Sequence, residues 1–237
     1  MFWTEESIAF LRDAAAINRY YETIAERIAP QLPENAHICD AGCGIGELSL
    51  ALKPYCHHVT AVDADELAIK TLKAHLIEGV TARCGDMETL APEKPYDAMV
   101  FCLFGRTQDT LRIAKKQCRG RIFLVKRDYS HHRFSAGKVG LGEYTAGSTE
   151  NVLREKGIPY TVEHFTAEFG QPFRSLEAAE RFFALYNRSR SETLSKDEIK
   201  ARLTAGLSAE FPYYLPHKKA LCLFTIETAA ISKEEAV

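Results

Sequence analysis

From His37 onward, short apolar runs near residues 37–41, 59–63, 80–84, 97–103 and 121–126 alternate with helical stretches near 46–53, 65–77 and 107–117. Strands separated by helices pair in parallel through right-handed crossovers, which lays helices on both faces of the sheet. The pattern therefore predicts a doubly wound α/β fold with a mostly parallel sheet. A later run, Ala-Leu-Cys-Leu-Phe within about 220–228, is apolar at every position, so this strand is expected inside the sheet.

The flanking segments follow other rules. Thr4 is placed to cap a helix whose first turn holds Glu5 and Glu6. Ile8, Leu11, Ala15, Ile17, Tyr21, Ile24 and Ile28 then recur at three- and four-residue steps, which predicts an amphipathic helix or a broken pair ending near Pro30. Residues 129–148, with four glycines and the pair His131-His132, read as a long loop. A helix at about 149–156, a strand from Tyr160 to Phe169, a Ser175-capped helix to Tyr186 and a capping box at Ser195–Glu198 follow. The polar tail from Ser232 is expected to fray. Residues 1–36 are expected to form a helical lid. Residues 37–237 are expected to form the main domain, with a substrate-side insertion around 129–215.

At 237 residues and 46% hydrophobic content, one sizeable core is expected. A formal charge of -2, from 30 basic and 32 acidic residues, exerts no general pull on phosphate backbones or anionic lipid, so a nucleic acid partner is not expected. Cysteines 39, 43, 56, 84, 102, 118 and 222 are odd in number and lie mostly in apolar runs, as reduced buried thiols do. With an acidic start and no apolar run near the roughly 20 residues of a membrane helix, a cytoplasmic protein is expected, without membrane contact. His57-His58 has no third ligand at hand, and no metal is expected.

The most informative turn is Asp40-Ala41-Gly42-Cys43-Gly44-Ile45-Gly46, between the first strand and its helix. It departs from the dinucleotide pattern G-x-G-x-x-G, since the third glycine comes one position early and Glu47 stands where a glycine would. No lysine or arginine lies between Asp40 and Leu52. A pyrophosphate would be repelled there, whereas a ligand carrying an ammonium or sulfonium would be attracted. At the next strand end, Asp63, 23 residues after Asp40, can accept hydrogen bonds from both hydroxyls of a ribose. At the third, Cys84-Gly85-Asp86-Met87 offers an acceptor and an apolar side chain to a base.

Asp40 to Gly46, Asp63 and Asp86 together resemble the successive cofactor motifs of class I S-adenosylmethionine-dependent methyltransferases, over about residues 37–127. The resemblance implies a seven-stranded sheet whose last strand inserts antiparallel between the fifth and sixth. It implies S-adenosyl-L-methionine as cofactor, with Asp40 and the glycine backbone near the methionine amino group, Asp63 on the ribose, Asp86 on the adenine amine and Met87 on the ring. The cofactor set so drawn is Tyr20, Asp40, Ala41, Gly42, Cys43, Gly44, Gly46, Asp63, Ala64, Gly85, Asp86, Met87, Phe101 and Cys102. Tyr20 and Tyr21 would cover the methionine end, because helices before the sheet often form a lid in this family.

On the acceptor side, the fourth strand ends in Phe101-Cys102-Leu103-Phe104-Gly105 and lacks the Asn/Asp-Pro-Pro-Tyr pattern of DNA adenine methyltransferases. Phe104 and Arg106, with Lys126, Arg127 and Arg133 beyond the fifth strand, are the expected substrate contacts. His131, His132 and Tyr21 are the expected proton-handling groups. The aromatic residues of the insertion, among them Phe169, Phe173, Phe182, Phe183, Phe211, Tyr213 and Tyr214, are read as core with some lining a substrate chamber. The expected acceptor is a small molecule, anionic or aromatic, and the expected assembly a monomer or homodimer. A macromolecular acceptor, tRNA or protein, and a non-catalytic binding module are the alternatives.

Overall fold

The computed structural model describes residues 3–75 and 77–232. Its amino-terminal helices are a broken pair, α1 (Glu5–Ile17) and α2 (Tyr20–Ile28). Thr4 caps α1 by accepting from the Ser7 amide at 3.1 Å while the Ser7 hydroxyl accepts from the Thr4 amide, a capping box with serine as the third helical residue. The break falls at buried Asn18, whose side-chain amide donates to the Ala14 carbonyl at 2.7 Å and the Gly170 carbonyl at 2.9 Å.

The alternating region follows as β1 (His37–Ala41), α3 (Glu47–Leu52), β2 (His58–Asp63), α4 (Glu66–Lys73), β3 (Val80–Cys84), β4 (Tyr96–Cys102), α5 (Thr107–Gln117) and β5 (Cys118–Arg127). Then come α6 (Ala146–Glu155), β6 (Thr161–Glu168), β7 (Gln171–Phe173), α7 (Leu176–Tyr186), α8 (Lys196–Ala201), β8 (Thr204–Ala205), β9 (Tyr213–Leu215) and β10 (Lys218–Glu227). The main sheet has seven strands in the order β3-β2-β1-β4-β5-β10-β6, with β10 antiparallel to both neighbours. The apolar last strand thus lies inside the sheet, as expected of a run with no polar face.

Side chains alternate across each strand, and the two faces collect separate cores. Ile38, Val59, Val100, Phe123, Leu221 and Leu223 pack with Tyr20, Ile24 and Ile28 of α2 and Leu48 and Leu52 of α3. Cys39, Val62, Met99, Phe101, Leu124 and Phe224 pack with Leu111 and Ala114 of α5 and Leu153 of α6. The first 36 residues therefore divide: α2 is a layer of the fold itself, while α1 runs along the rim. The 129–215 segment divides likewise. It supplies β6 to the main sheet, and α7, α8 and the small sheet β7-β9-β8 gather a satellite core of Phe10, Phe173, Phe182, Phe183, Ile199 and Leu215.

Two local readings change. Residues 118–120 lie between the expected helix near 107–117 and strand near 121–126, yet the chain has no turn there, since α5 ends at Gln117 and β5 begins at Cys118. Gly120 marks a close approach instead: a Cβ there would sit 2.1 Å from the Asp97 carbonyl oxygen, where the β4–β5 register shifts. α6 begins at Ala146, three residues earlier than expected, on a Thr145–Ser148 capping box. The strands of the small sheet, two or three residues each, are too short to show a period. Of the tail, Ser232 is described, and the fraying expected beyond it lies outside the described residues.

Candidate active site

Beyond the carboxyl ends of β1, β2 and β4 lies a cleft of about 860 Å³, the edge at which open parallel sheets bind ligands. Its floor is the glycine turn. Gly42 and Gly44 have φ of 72° and 55°, values that cost a side-chain-bearing residue about 1–2 kcal/mol. A Cβ on Gly42 would lie 2.3 Å from the Phe104 ring, and one on Gly44 2.5 Å from the Trp3 ring. Gly46 serves packing, since its Cβ would lie 2.4 Å from Leu72.

The turn's amides are already engaged. Gly42 and Cys43 donate to the Val62 carbonyl at 2.8 and 2.9 Å, Gly46 donates to the Cys43 carbonyl at 3.0 Å, and Gly44 donates to Asp63 at 2.8 Å. These four N–H groups are not free for a phosphate. The cleft instead presents acceptors: Asp40, Glu47, Asp63 and Asp86 all line it. Asp40 is 1% exposed, and burial raises its pKa to about 6 despite the Ser49 hydroxyl donating to it at 2.6 Å. A positive charge placed beside it would restore the carboxylate. Asp63 receives Gly44 N–H on Oδ2 and Asp65 N–H on Oδ1, so each oxygen keeps a lone pair for a diol, while Asp65, not Asp63, caps α4. Asp86 spends only Oδ1, on the Glu88 amide at 2.9 Å, and Met87 is buried beside it. Saturated amides, four carboxylates and a backbone with no room for Cβ atoms fit a ligand with an ammonium, a ribose and an adenine amine, which is the chemistry of S-adenosylmethionine.

The expected residues sort by position. Tyr20, Tyr21, Asp40, Gly42, Cys43, Gly44, Asp63, Ala64, Gly85, Asp86, Met87, Cys102 and Phe104 line the cleft. Ala41 and Phe101 are fully buried in the core of the opposite face and Gly46 lies under the turn, so these three do not line it. Burial pushes the Cys102 thiol up to about 12, which keeps it protonated.

The expected basic and histidine groups around the ends of β4 and β5 go elsewhere. Lys126 is 1% exposed and donates to the carbonyls of Phe104 at 3.4 Å and Gly105 at 2.9 Å, which holds the cleft-lining loop where Leu103 has φ 55°. Arg106 is exposed and bonds Asp109 at 2.8 Å. Arg133 lies 5.9 Å from the Tyr129 ring, and neither it nor Arg127 lines the cleft. His131, exposed, bonds Ser130, and His132 bonds Ser135, each at 2.8 Å. Burial, with Arg188 and Arg127 nearby, lowers His132 to about 4. The cause of the displacement is a hairpin-like closure, His132 N–H to the Val139 carbonyl at 2.7 Å and Leu141 N–H to the Ser130 carbonyl at 2.9 Å, which draws the histidines away from the cleft.

Lining residues outside the expected set include Trp3, Leu11 and Lys219, and Phe169, read with the other insertion aromatics as core or chamber wall, lines the cleft as well. Trp3 is fixed by its amide donating to Asp65 at 3.0 Å. Lys219 was legible in principle, because an antiparallel last strand starts at the edge where the parallel strands end. Its Nζ lies 4.6 Å from the centre of the Tyr20 ring and 4.2 Å from that of Phe169. The Tyr20 hydroxyl is buried without a hydrogen-bond partner among the described residues, a state costing about 1–3 kcal/mol. On the other face of β10, Asp128, His164 and Cys222 hold ligand-type atoms within 4.8 Å of one another. No helix among the described residues is long and apolar enough to cross a membrane.

A methyltransferase domain family model matches residues 38–121, the stretch that carries the turn, Asp63 and Asp86. Among solved structures, a candidate type II methyltransferase from Anaeromyxobacter dehalogenans is similar with a TM-score of 0.57 at 16% identity, over 89% of this chain and 97% of that one. The YcgJ protein from Bacillus subtilis gives 0.54 at 15% identity over 87% and 97%. A candidate methyltransferase from Bacillus halodurans gives 0.52 at 15% over 87% and 98%. At these identities the likeness is one of fold. No curated protein matches the sequence.

Proposed function

We propose that this chain, with its match to a methyltransferase domain model over residues 38–121 and its seven-stranded sheet, is a class I S-adenosylmethionine-dependent methyltransferase and methylates a small molecule with a flat, aromatic portion. The observation that carries this reading is the set of large apolar and aromatic side chains that line the cleft together with the carboxylates: Trp3, Tyr20, Tyr21, Leu103, Phe104 and Phe169. A cavity of about 860 Å³ that combines these apolar and aromatic side chains with the carboxylates suits a small ligand beside a cofactor. The formal charge of -2 and the internal pairing of Arg106 and Lys126 weigh against a phosphate backbone as acceptor.

When bound, the cofactor supplies an activated methyl group on a sulfonium. The protein's own share is alignment and the exclusion of water. Asp40 and Glu47 attract positive charge to one end of the cleft, Asp63 and Asp86 accept hydrogen bonds, and Gly42 and Gly44 let the ligand reach the backbone. The Lys126 ammonium holds the Phe104–Gly105 carbonyls and so sets the acceptor wall. Labelled S-adenosylmethionine incubated with the protein and cell extract tests the reading: label is expected in the low-molecular-mass fraction. Label confined to RNA or protein would overturn it.

A further inference from the structure

The cleft is electrically divided. Asp40, Glu47, Asp63 and Asp86 occupy the end at β1 to β3, whereas the end at β10 holds Lys219, with Arg127 close behind it. Lys219 has no carboxylate partner among the described residues, only the faces of Tyr20 and Phe169. Those two rings lie 4.4 Å apart centre to centre, and Tyr21 meets Phe169 edge-on at 5.7 Å. The unpartnered Tyr20 hydroxyl belongs to the same group and lacks an acceptor oxygen.

We propose that Lys219, Tyr20 and Phe169 form the acceptor subsite, that it takes an aromatic hydroxyl compound, and that the Lys219 amine receives the hydroxyl proton. The proposal rests on the reading of this cleft as the methyl-transfer site. An amine acceptor would put developing positive charge beside Lys219 and Arg127, whereas a phenol develops negative charge on oxygen, which both would stabilise. In the step, the acceptor O–H bond breaks and its proton passes to neutral Nζ, giving an ammonium. The oxygen pair forms the new O–CH₃ bond as the S–CH₃ bond breaks, with that electron pair going to sulfur. The ammonium then releases its proton to solvent.

The surroundings prepare Lys219 for this. Burial, with Arg127 adding to it, brings its pKa down to about 7, and Cys102 acts weakly the other way. The titratable and charged groups facing it are Arg127 at the end of β5, Cys102 at the end of β4, Tyr20 on α2 and His217 just before β10. Glu168 is directed away, accepting from the Tyr214 hydroxyl at 2.9 Å and the His217 amide at 3.1 Å.

The test uses 4-nitrophenol, whose phenolate absorbs visible light, added to the full-length protein saturated with S-adenosylhomocysteine. Bound probe is expected to ionise about one pH unit lower than free probe. Lys219→Met should abolish that shift, and Tyr20→Phe should weaken probe binding several-fold. Far-UV circular dichroism and a cooperative thermal transition, expected to match wild type in both variants, show that they fold. Identical titrations for wild type and Lys219→Met, or no probe binding while S-adenosylhomocysteine binds, would overturn the subsite. Failure of wild type to bind S-adenosylhomocysteine would instead overturn the underlying reading of the cleft.

Discussion

Asp40 couples folding and ligand binding through one proton. Its folded pKa of about 6 exceeds the ordinary carboxylate value, so between about pH 4 and 6 the native state binds more protons than the unfolded chain. Its contribution to stability is thus present at low pH and lost as pH rises through 6. A cationic ligand reverses the preference by favouring the carboxylate. S-Adenosylhomocysteine should accordingly bind about tenfold more weakly at pH 5 than at pH 7, since one pKa unit is worth about 1.4 kcal/mol. Asp40→Asn should bind weakly at both. Calorimetry across this range decides the matter, and an affinity flat with pH in the wild type would refute the role given to Asp40.

At the scale of elements, the join between α5 and β5 tests how the sheet is registered. Gly120 faces the Asp97 carbonyl where the β4–β5 register shifts, and the Asp97 carboxylate, which accepts the His37 amide at 2.8 Å and bonds Arg119 at 2.9 Å, anchors that residue. Gly120→Ala must therefore push β4 and β5 apart, at a cost of about 1–3 kcal/mol. In a chain of this size that lowers Tm by roughly 2–4 °C per kcal/mol. Because Gly120 lies at the end of the sheet remote from the cleft, affinity for S-adenosylhomocysteine should not change. Scanning calorimetry showing Tm within a degree of wild type would count against this account. The element that carries Lys219 follows the same logic of direction: only an antiparallel β10 brings its first residues to the ligand edge.

Across the whole molecule, the satellite core is what holds α1 over the cleft. Phe10 of α1 meets Phe182 and Phe173 at 5.3 and 6.1 Å, and Phe134 reaches Phe182 at 5.0 Å from the long loop. Leu11 and Trp3, on and before the same helix, line the ligand cavity. Phe182→Ala should remove about 3–5 kcal/mol of packing at this site. Hydrogen exchange should speed up in α1, α7 and α8 while β1, β4 and β5 stay protected, because cores that do not share contacts open separately. Ligand affinity should fall several-fold through Leu11 and Trp3. Equal loss of protection in the central strands would show that the two cores unfold as one.

The parallel sheet, its helices and the cofactor edge were legible in the sequence because each rests on local pattern: period-2 and period-3.6 apolarity, glycines in the turn, and carboxylates at successive strand ends. β1, β3 and α5 fall at the expected residues for that reason. The acceptor side was not legible, since it depends on where side chains far apart in the chain come to rest. Lys126, Arg127, His131, His132 and Arg133 form a conspicuous cluster in sequence, yet carbonyls, a ring and a hairpin-like closure hold them off the cleft. Trp3, Phe169 and Lys219 stand alone in sequence and meet only when the rim helix, the end of β6 and the antiparallel β10 converge. The sequence alone determined the α/β frame and a carboxylate-flanked glycine turn that attracts a cationic ligand, because short-range periodicity and charge suffice for both, while the resemblance of its motifs implied the adenosyl group. Tertiary structure decided which side chains face the cleft, because strand direction and burial, not spacing, determine where a side chain ends.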